Sequence, residues 1–303
     1  MIVPISAVSA TKMQPIQNIF AGPDKTSWIS NYSLRPAKLF EGAEARLTII
    51  INAKNSAGET FTTNYQKWNV EYRSVLFKTV TYFAARNYSG VGTIPKLSSS
   101  LQYGIYEKTK VKAFNDNFQV ALTCGETRFV AYYFRAVQYW FKVLDRIPVF
   151  REDGEDKQTG EMKPMYFVSE RNRNMAIALL SSNLFFMNYI MWSSCQVVNS
   201  RDFCLSFPFE TIPTKIGDEL CSFAKDLQKD YQRNSKTQIR NYSKRGRKFT
   251  MEKQLFYIRY SKPIIDEIDE LLAKHYGFTE EELDFIINYD IKYRMGDELN
   301  AAE

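Results

Sequence analysis

The spacing of apolar and polar residues predicts strands and one helix in the first 54 residues. Residues 2–5, 27–32 and 47–51 are rich in β-branched and aromatic side chains, which is typical of strands. The run at 47–51 is nearly all apolar, as in a strand buried on both faces. Residues 11–20 predict a short helix. Three strands and one helix are too few for a complete α/β domain, so we expect the last part of such a domain.

The middle of the chain, residues 55–215, alternates aromatic-rich runs with turns. The almost wholly polar stretch 151–163 predicts a solvent loop or hairpin tip. Residues 170–198 predict one long helix. The overlapping stretch 175–200 carries no charged residue and is long enough to cross a bilayer. Several Ser, Asn and Gln residues interrupt that segment, which favours a buried core helix over a membrane span. We therefore expect no contact with a membrane.

The last third, residues 216–303, has helical periodicity. Apolar residues recur at helical spacing over 217–232, which predicts an amphipathic helix. A second helix is expected to start at Pro263 and end at Gly277, and a capping box of Thr279 and Glu282 starts a third at 280–290. The run 233–248 between these helices has basic residues and no acidic one. It is either a solvated basic linker or a DNA contact.

Composition narrows the chemistry of the chain. Apolar residues make up 45% and charged residues 24% of 303 residues, as in globular proteins, which excludes a disordered tail, a collagen-like fibre and a disulfide scaffold. His275 is the single histidine, so histidine-based catalysis has one possible residue, and we interpret it as structural, close to a helix end. Four cysteines without C-x-x-C spacing, and a start without a basic segment, predict a cytoplasmic protein.

Several segments share the pattern of one enzyme family. Residues 262–269 read KPIIDEID, 275–279 read HYGFT and 286–294 read IINYDIKYR; 35–43 read RPAKLFEGA and 46–51 read RLTIII. Residues 135–140 and 176–208 match more loosely. Together they resemble the C-terminal part of type IIG restriction–modification enzymes, which are TaqI-like adenine-N6 DNA methyltransferases. The resemblance implies late methyltransferase strands at 1–54, a target-recognition domain at 55–215 and a C-terminal helical region carrying the basic run at 216–303.

The catalytic motifs of that family are missing from this chain. Its catalytic loop contains consecutive prolines, and none of the ten prolines here neighbours another. Its cofactor motif is a glycine-rich turn before a helix, and the one candidate, Gly90-Val91-Gly92, lacks the expected helix. The motif of a fused nuclease is also lacking. The resemblance therefore implies that S-adenosylmethionine binds the complete enzyme rather than this chain, and that a catalytic half acts in trans.

Phe40 is the candidate for contact with the target base. The resemblance places it in the loop between the last two methyltransferase strands, where an aromatic ring packs on a flipped adenine. An extruded base has lost its stacking partners, and an aromatic face restores part of that energy. The alternative is a core phenylalanine beside Leu39.

Basic residues are the candidates for DNA contact. In the recognition region they could read guanine edges or hold phosphates; the alternative for each is an ordinary surface arginine. The run 233–248 would displace counterions from phosphates. The candidates are Arg128, Arg135, Arg171, Arg173, Arg201, Arg233, Lys236, Arg240, Lys244, Arg245, Arg247 and Lys248. Acidic residues Asp266, Glu267, Asp269 and Glu270 are interpreted as the polar face of a helix rather than a metal site.

The combined interpretation is an α+β protein without a catalytic residue or metal of its own. We expect it to bind double-stranded DNA and to select the target of an adenine-N6 methyltransferase of a restriction–modification or related phage-defence system. Two alternatives stay open: an interaction or structural protein that keeps the fold without binding DNA, and an independent enzyme with an unfamiliar site.

Overall fold

A computed structural model describes residues 1–22, 24–54, 58–85, 93–110, 122–123, 125–137, 139–198 and 212–296. The chain contains both helices and several β-sheets, which confirms the α+β prediction. It forms two compact units, the first comprising Met1–Lys108 with Met187–Val197 and the second comprising Thr109–Phe186 with Val198–Glu303.

The first unit is built on a mixed five-stranded sheet. Its strands are β1 (Ile2–Pro4), β2 (Lys25–Tyr32), β3 (Leu47–Lys54), β4 (Thr60–Gln66) and β5 (Phe83–Ala84), in the order β1-β3-β2-β4-β5. Only the β2–β4 pair among these is parallel. The α-helices are α1 (Ser6–Ser9), α2 (Gln14–Phe20) and α3 (Ser100–Thr109), and short 3-10 helices form at Thr11–Met13, Val70–Tyr72 and Leu76–Lys78.

The strands predicted near residues 2–5, 27–32 and 47–51 are confirmed. They form β1, β2 and β3; β2 is buried at most positions, whereas β3 is buried in its first half and mostly exposed from Ile51 onward, so the expectation that 47–51 is buried on both faces holds only for its first residues. One end of the sheet is covered by a cluster comprising Tyr32, Leu39, Leu47 and Trp68. The sheet continues beyond residue 54, because β4 pairs with β2 and β5 pairs with β4.

The second unit contains two further sheets and most of the long helices. Its strands are β6 (Val130–Phe134), β7 (Val143–Leu144), β8 (Phe150–Glu152), β9 (Glu155–Asp156), β10 (Met162–Tyr166), β11 (Lys236–Lys244) and β12 (Arg247–Leu255). They form sheets in the orders β10-β6-β7 and β11-β12-β8-β9. The helices are α4 (Glu170–Ser181), the start of α5 (Asn183–Trp192), α6 (Thr214–Arg233), α7 (Lys262–Tyr276), α8 (Glu280–Ile287) and α9 (Ile291–Arg294), with a 3-10 turn at Ile258–Ser261. From Met187 onward α5 belongs to the first unit.

The prediction of one continuous helix over 170–198 is wrong. The helix breaks at Ser182, whose backbone is extended, and α4 and α5 are bent by 69°. The Ser182 hydroxyl donates to the Leu179 carbonyl (2.7 Å) and accepts from the Phe185 amide (3.0 Å), so it serves the end of one helix and the start of the next. Among the described residues, no single helix is both long and apolar enough to cross a membrane; the bent pair meets those criteria only jointly.

The helices expected in the last third are confirmed, although the one predicted over 280–290 ends at Ile287. Helix α6 covers the predicted amphipathic segment, α7 ends at Gly277 in the left-handed conformation (φ +67°), and the capping box of Thr279 and Glu282 starts α8. The prediction of a helical unit throughout is wrong, because the basic run forms a β-hairpin from β11 and β12. Its turn residues, Arg245 and Gly246, both have positive φ, as in the turns that match the twist of paired strands.

Asp269 is buried, so its assignment to the polar face of a helix is wrong. Its carboxylate accepts the backbone amides of Asn183 (2.9 Å) and Leu184 (3.0 Å) and the Asn183 side-chain amide (2.7 Å). A carboxylate from α7 therefore caps the N-terminus of α5, where unpaired amides and the positive end of the helix dipole face an anion.

Burial of that carboxylate predicts a pH dependence of stability. Burial raises the pKa of Asp269 from 3.8 to about 7, although its three N–H donors oppose the rise. Between these values the folded state retains a proton that the unfolded chain has released, so the free energy of unfolding should fall as the pH rises from about 4 to 7. Urea titrations across this range should show a shallower fall for Asp269→Asn. Parallel pH profiles for the two proteins would contradict the assignment.

Candidate nucleic-acid interface

The β11–β12 hairpin sorts its charged side chains by strand alternation. The two strands pair over nine positions, from Lys236 opposite Leu255 to Lys244 opposite Arg247. Residues directly opposite each other point to the same side of an antiparallel pair, and the side changes with each step along the strand. Nearly every side chain between residues 236 and 248 is exposed. The register therefore decides which surface each cation occupies.

One side of the hairpin, here called the basic face, collects cations and two aromatic rings. It comprises Lys236, Gln238, Arg240, Tyr242 and Lys244 of β11 and Arg247, Phe249, Met251, Lys253 and Leu255 of β12. The Tyr242 and Phe249 rings are opposite each other and stacked, with centroids 5.6 Å apart and planes 17° from parallel. The Arg247 guanidinium lies 5.8 Å from the Phe249 ring centroid. The ring pair thus lies between Arg240 and the two cations beside the turn, Lys244 and Arg247.

The other side of the hairpin is nearly uncharged. It presents Thr237, Ile239, Asn241, Ser243, Lys248, Thr250, Glu252 and Gln254. Lys248 and Glu252 have opposite charges, and Glu252 is in an ion pair with Arg151 on β8 (3.4 Å). Of the predicted DNA-binding residues in the run, Arg245 lies in the turn and Lys248 lies on this side. The predicted basic run is therefore split between two surfaces rather than forming one continuous patch.

The cations of the basic face differ in how far the protein neutralises them. Arg247 is paired with Glu152 (2.9 Å) and Asp153 (3.3 Å) at the β8–β9 turn, and Lys253 with Glu161 (3.4 Å). In the described part of the chain, Arg240 and Lys244 have neither an ion pair nor a side-chain hydrogen bond. These two exposed charges are the most available to an anion from outside the protein.

Two predicted DNA-binding arginines at the start of α4 are engaged by internal contacts of the second unit. Arg171 donates to Asp218 (3.2 Å) and to the Thr214 carbonyl (2.9 Å), and its guanidinium packs so closely on Gly217 that a Cβ there would lie 2.3 Å from it. Arg173 donates to Asn174 and Glu170 beside it on α4. The N-terminus of α4 is capped by the hydroxyl of Ser169, which accepts the amide of Asn172. We therefore leave Arg171 and Arg173 out of the interface.

Arg233 belongs to a structural network at the end of α6. Its guanidinium contacts the buried carboxylate of Asp230, which also accepts Asn234 Nδ2 (2.9 Å) and the Ser261 hydroxyl (2.6 Å). Lys236 lies where the hairpin leaves the body of the unit, with its ammonium 6.0 Å from the Tyr257 ring centroid. Arg233 thus holds the start of the hairpin, whereas Lys236 belongs to the basic face.

The remaining predicted arginines are not part of the hairpin. Arg128 is exposed and lies 4.8 Å from the Phe129 ring centroid. Arg135 is exposed, and its main chain is bonded to Glu161 and Val198. Arg201 lies outside the described residues.

Phe40 is 44% exposed, so it is not the core phenylalanine of the alternative interpretation. It lies in the first unit, in the loop between β2 and β3, while the neighbouring Leu39 is 6% exposed and fills the core. Arg73 supports the loop by donating to the carbonyls of Leu39 (3.0 Å) and Lys38 (2.7 Å). The loop thus buries one side chain and presents the next one to solvent.

Comparisons of the chain with protein-family models, with curated proteins and with solved structures found no match. Within the residues that the structure describes, no group of three or more His, Cys, Asp or Glu side chains is placed to hold a metal ion. Support for a nucleic-acid interface therefore comes from the geometry of the hairpin.

The residues predicted from the sequence to contact DNA did not include Tyr242, Phe249 or Lys253. The signal that could have found them is the period of two at Lys236, Arg240, Tyr242 and Lys244, all at even positions. An Arg-Gly turn at 245–246 followed by a second alternating run would have completed the hairpin pattern.

Proposed function

We propose that this chain binds double-stranded DNA through the basic face of the hairpin. The observation that carries the proposal is the sorting of cations onto one exposed face, with Arg240 and Lys244 unneutralised within the described residues. Beyond Met251–Lys253, which also pair with β8, the hairpin is a two-stranded ribbon. Such a ribbon fits the major groove of B-form DNA, and lysine or arginine on it can neutralise phosphates.

The biological role that we propose is target recognition for an adenine-N6 DNA methyltransferase. The family resemblance of the tail and of the Phe40 segment supports this role, and the exposure of Phe40 is compatible with stacking on a base. Transfer would require a catalytic half in trans, which would bring S-adenosylmethionine and the proline-containing loop that this sequence lacks. Such a complex would act on DNA in the cytoplasm.

The test neutralises Arg240 and Lys244, two cations of the basic face that have no ion pair within the described residues. Arg240→Gln with Lys244→Gln should weaken binding of a random 30-base-pair duplex by roughly tenfold at low salt, independently of sequence. The slope of log affinity against log salt concentration should fall by about 2, since each lost phosphate contact releases about 0.9 fewer counterions. Fluorescence anisotropy between low and moderate salt measures both quantities.

The matched control is Lys248→Gln, because Lys248 is exposed and lies beside the same turn but on the other side of the hairpin. It should change the affinity and the salt slope less than Lys244→Gln does. Equal effects of these single variants, or no duplex binding by the wild type at low salt, would overturn the proposal and favour an interaction protein. Binding of S-adenosylmethionine by the chain alone would contradict the proposal that a separate catalytic half supplies the cofactor.

A further inference from the structure

A pocket of about 490 Å³ lies in the second unit beside the base of the hairpin. It is lined by the end of β6, by residues 139–142 and by residues 253–259, which comprise the end of β12 and the segment after it. Its volume falls within the range of about 300–1,000 Å³ that is typical of small-molecule sites.

Aromatic side chains form most of the walls of this pocket. The rings are those of Phe134, Tyr139, Trp140, Phe256 and Tyr257, all of them half-buried. Partial burial leaves part of each ring available to the pocket. Aromatic faces of this kind stack on planar ligands such as nucleobases without selecting one base strongly.

Cations supply the polar part of the lining. Lys142, Lys253, Arg259 and Arg294 line the pocket, with Glu161 as the carboxylate among its lining residues. Glu161 is already paired with Lys253. The lining thus has a net positive charge and would favour a ligand that carries a negative one.

Lys142 is the unusual member of this set. Its ammonium lies 3.7 Å from the Phe134 ring centroid and 5.5 Å from that of Phe256, and within the described residues no carboxylate or carbonyl is bonded to it. Burial, with a smaller contribution from the charge of Lys253, lowers the pKa of Lys142 to about 8, and the charge of Glu161 opposes that fall. At neutral pH the group is therefore mostly charged, and the ring faces together with the carboxylate of Glu161, which is not bonded to Lys142, offset only part of the cost of removing an ammonium from water. An anion bound in the pocket would supply the missing countercharge.

We propose that this pocket binds a single nucleotide, with its base against the aromatic walls and its phosphate paired with Lys142. Lys253 belongs both to the pocket lining and to the basic face, and Lys236 of that face approaches the ring of Tyr257. The nucleotide could thus be a free mononucleotide or an unstacked unit of a strand held on the hairpin. Both ligands present a base and a phosphate to the pocket. The proposal for the pocket therefore does not require that the hairpin binds duplex DNA.

The first experiment titrates the full chain with deoxyadenosine monophosphate, adenosine and inorganic phosphate by calorimetry. The mononucleotide should bind at least tenfold more tightly than either part, because only it engages both the rings and the ammonium. Lys142→Met should weaken mononucleotide binding at least tenfold. It should also leave the melting temperature unchanged or raise it, since a half-buried charge that has neither an ion pair nor a hydrogen bond in the described structure is replaced by an apolar chain of similar length.

The control for that variant is Lys248→Met, which removes an exposed cation outside the pocket and should leave mononucleotide binding unchanged. Lys253→Met provides a second pocket variant and should weaken binding as well. The proposal is wrong if no mononucleotide binds and no oligonucleotide loses affinity in Lys142→Met. It is also wrong if Lys142→Met lowers the melting temperature in parallel with binding, which would make Lys142 structural.

A second experiment distinguishes the sources of the nucleotide. Duplexes carrying one unpaired 2-aminopurine report an extruded base by their fluorescence, and excess mononucleotide should compete for the pocket. If the strand is the source, Lys142→Met abolishes the fluorescence change; if the free nucleotide is the source, only the mononucleotide titration responds. Arg240→Gln with Lys244→Gln should weaken duplex binding but preserve mononucleotide binding, so failure of one proposal does not imply failure of the other.

Discussion

Replacing Asp269 with alanine is expected to lower the free energy of unfolding by about 4 kcal/mol. The side chain is buried, and its removal would leave the amides of Asn183 and Leu184 without their acceptor at the N-terminus of a buried helix. Unsatisfied buried N–H groups retain the cost of desolvation without the bond that offsets it. Urea denaturation followed by circular dichroism measures the change.

The control for Asp269→Ala is Glu270→Ala, because Glu270 is the next residue of α7 and is exposed. It should change the free energy of unfolding by less than about 0.5 kcal/mol. A loss below about 1 kcal/mol in Asp269→Ala would mean that other groups satisfy the start of α5, in contradiction to the arrangement described above.

Replacing Arg294 with alanine is expected to cost about 3 kcal/mol of stability. Its guanidinium is buried between the rings of Trp140 (3.8 Å) and Phe186 (4.5 Å) and donates to the carbonyls of Tyr139 (2.9 Å) and Tyr289 (3.2 Å). Burial lowers the pKa of Arg294 to about 10, so the group remains charged at neutral pH. Truncation would remove both ring contacts and leave the two carbonyls without this donor.

Two further variants distinguish the causes of that loss. Arg294→Lys should recover less than half of the stability, since an ammonium lacks the planar fork that stacks and donates in two directions. Lys292→Ala, at an exposed position of the same short helix, should have little effect. Thermal unfolding of the three variants provides the comparison, and full recovery in Arg294→Lys would show that charge alone is sufficient.

Local signals predicted the helix ends well. Proline near the start of α7, Gly277 after its end and the Thr279–Glu282 capping box act within one or two turns of the chain, so neighbouring residues suffice to specify them. The sequence did not reveal the interruption of the helix at Ser182, because the apolar pattern of the segment continues across the break. The start of α5 is capped by Ser182 and also by Asp269, which is distant in the chain.

The hairpin was missed for a different reason. Its strands are mostly solvated, so the apolar alternation that reveals a half-buried strand is absent, and the charge of the run dominated the interpretation. The exposure of Phe40 beside the buried Leu39 also could not be deduced, because either residue of an adjacent pair can point into the core.

The sequence by itself determined the α+β class, the first three strands, the amphipathic helix α6 and the presence of a basic segment, because each depends on the period of side chains along a short stretch. Only the tertiary structure decided which cations share a face, which arginines are bonded within the protein, and which aromatic rings Lys142 contacts. Those outcomes depend on strand register and on contacts between residues distant in the chain. The period of two in the basic run indicates which of its cations could share a face of a strand, but no local pattern specifies the contacts of Arg171 or Lys142.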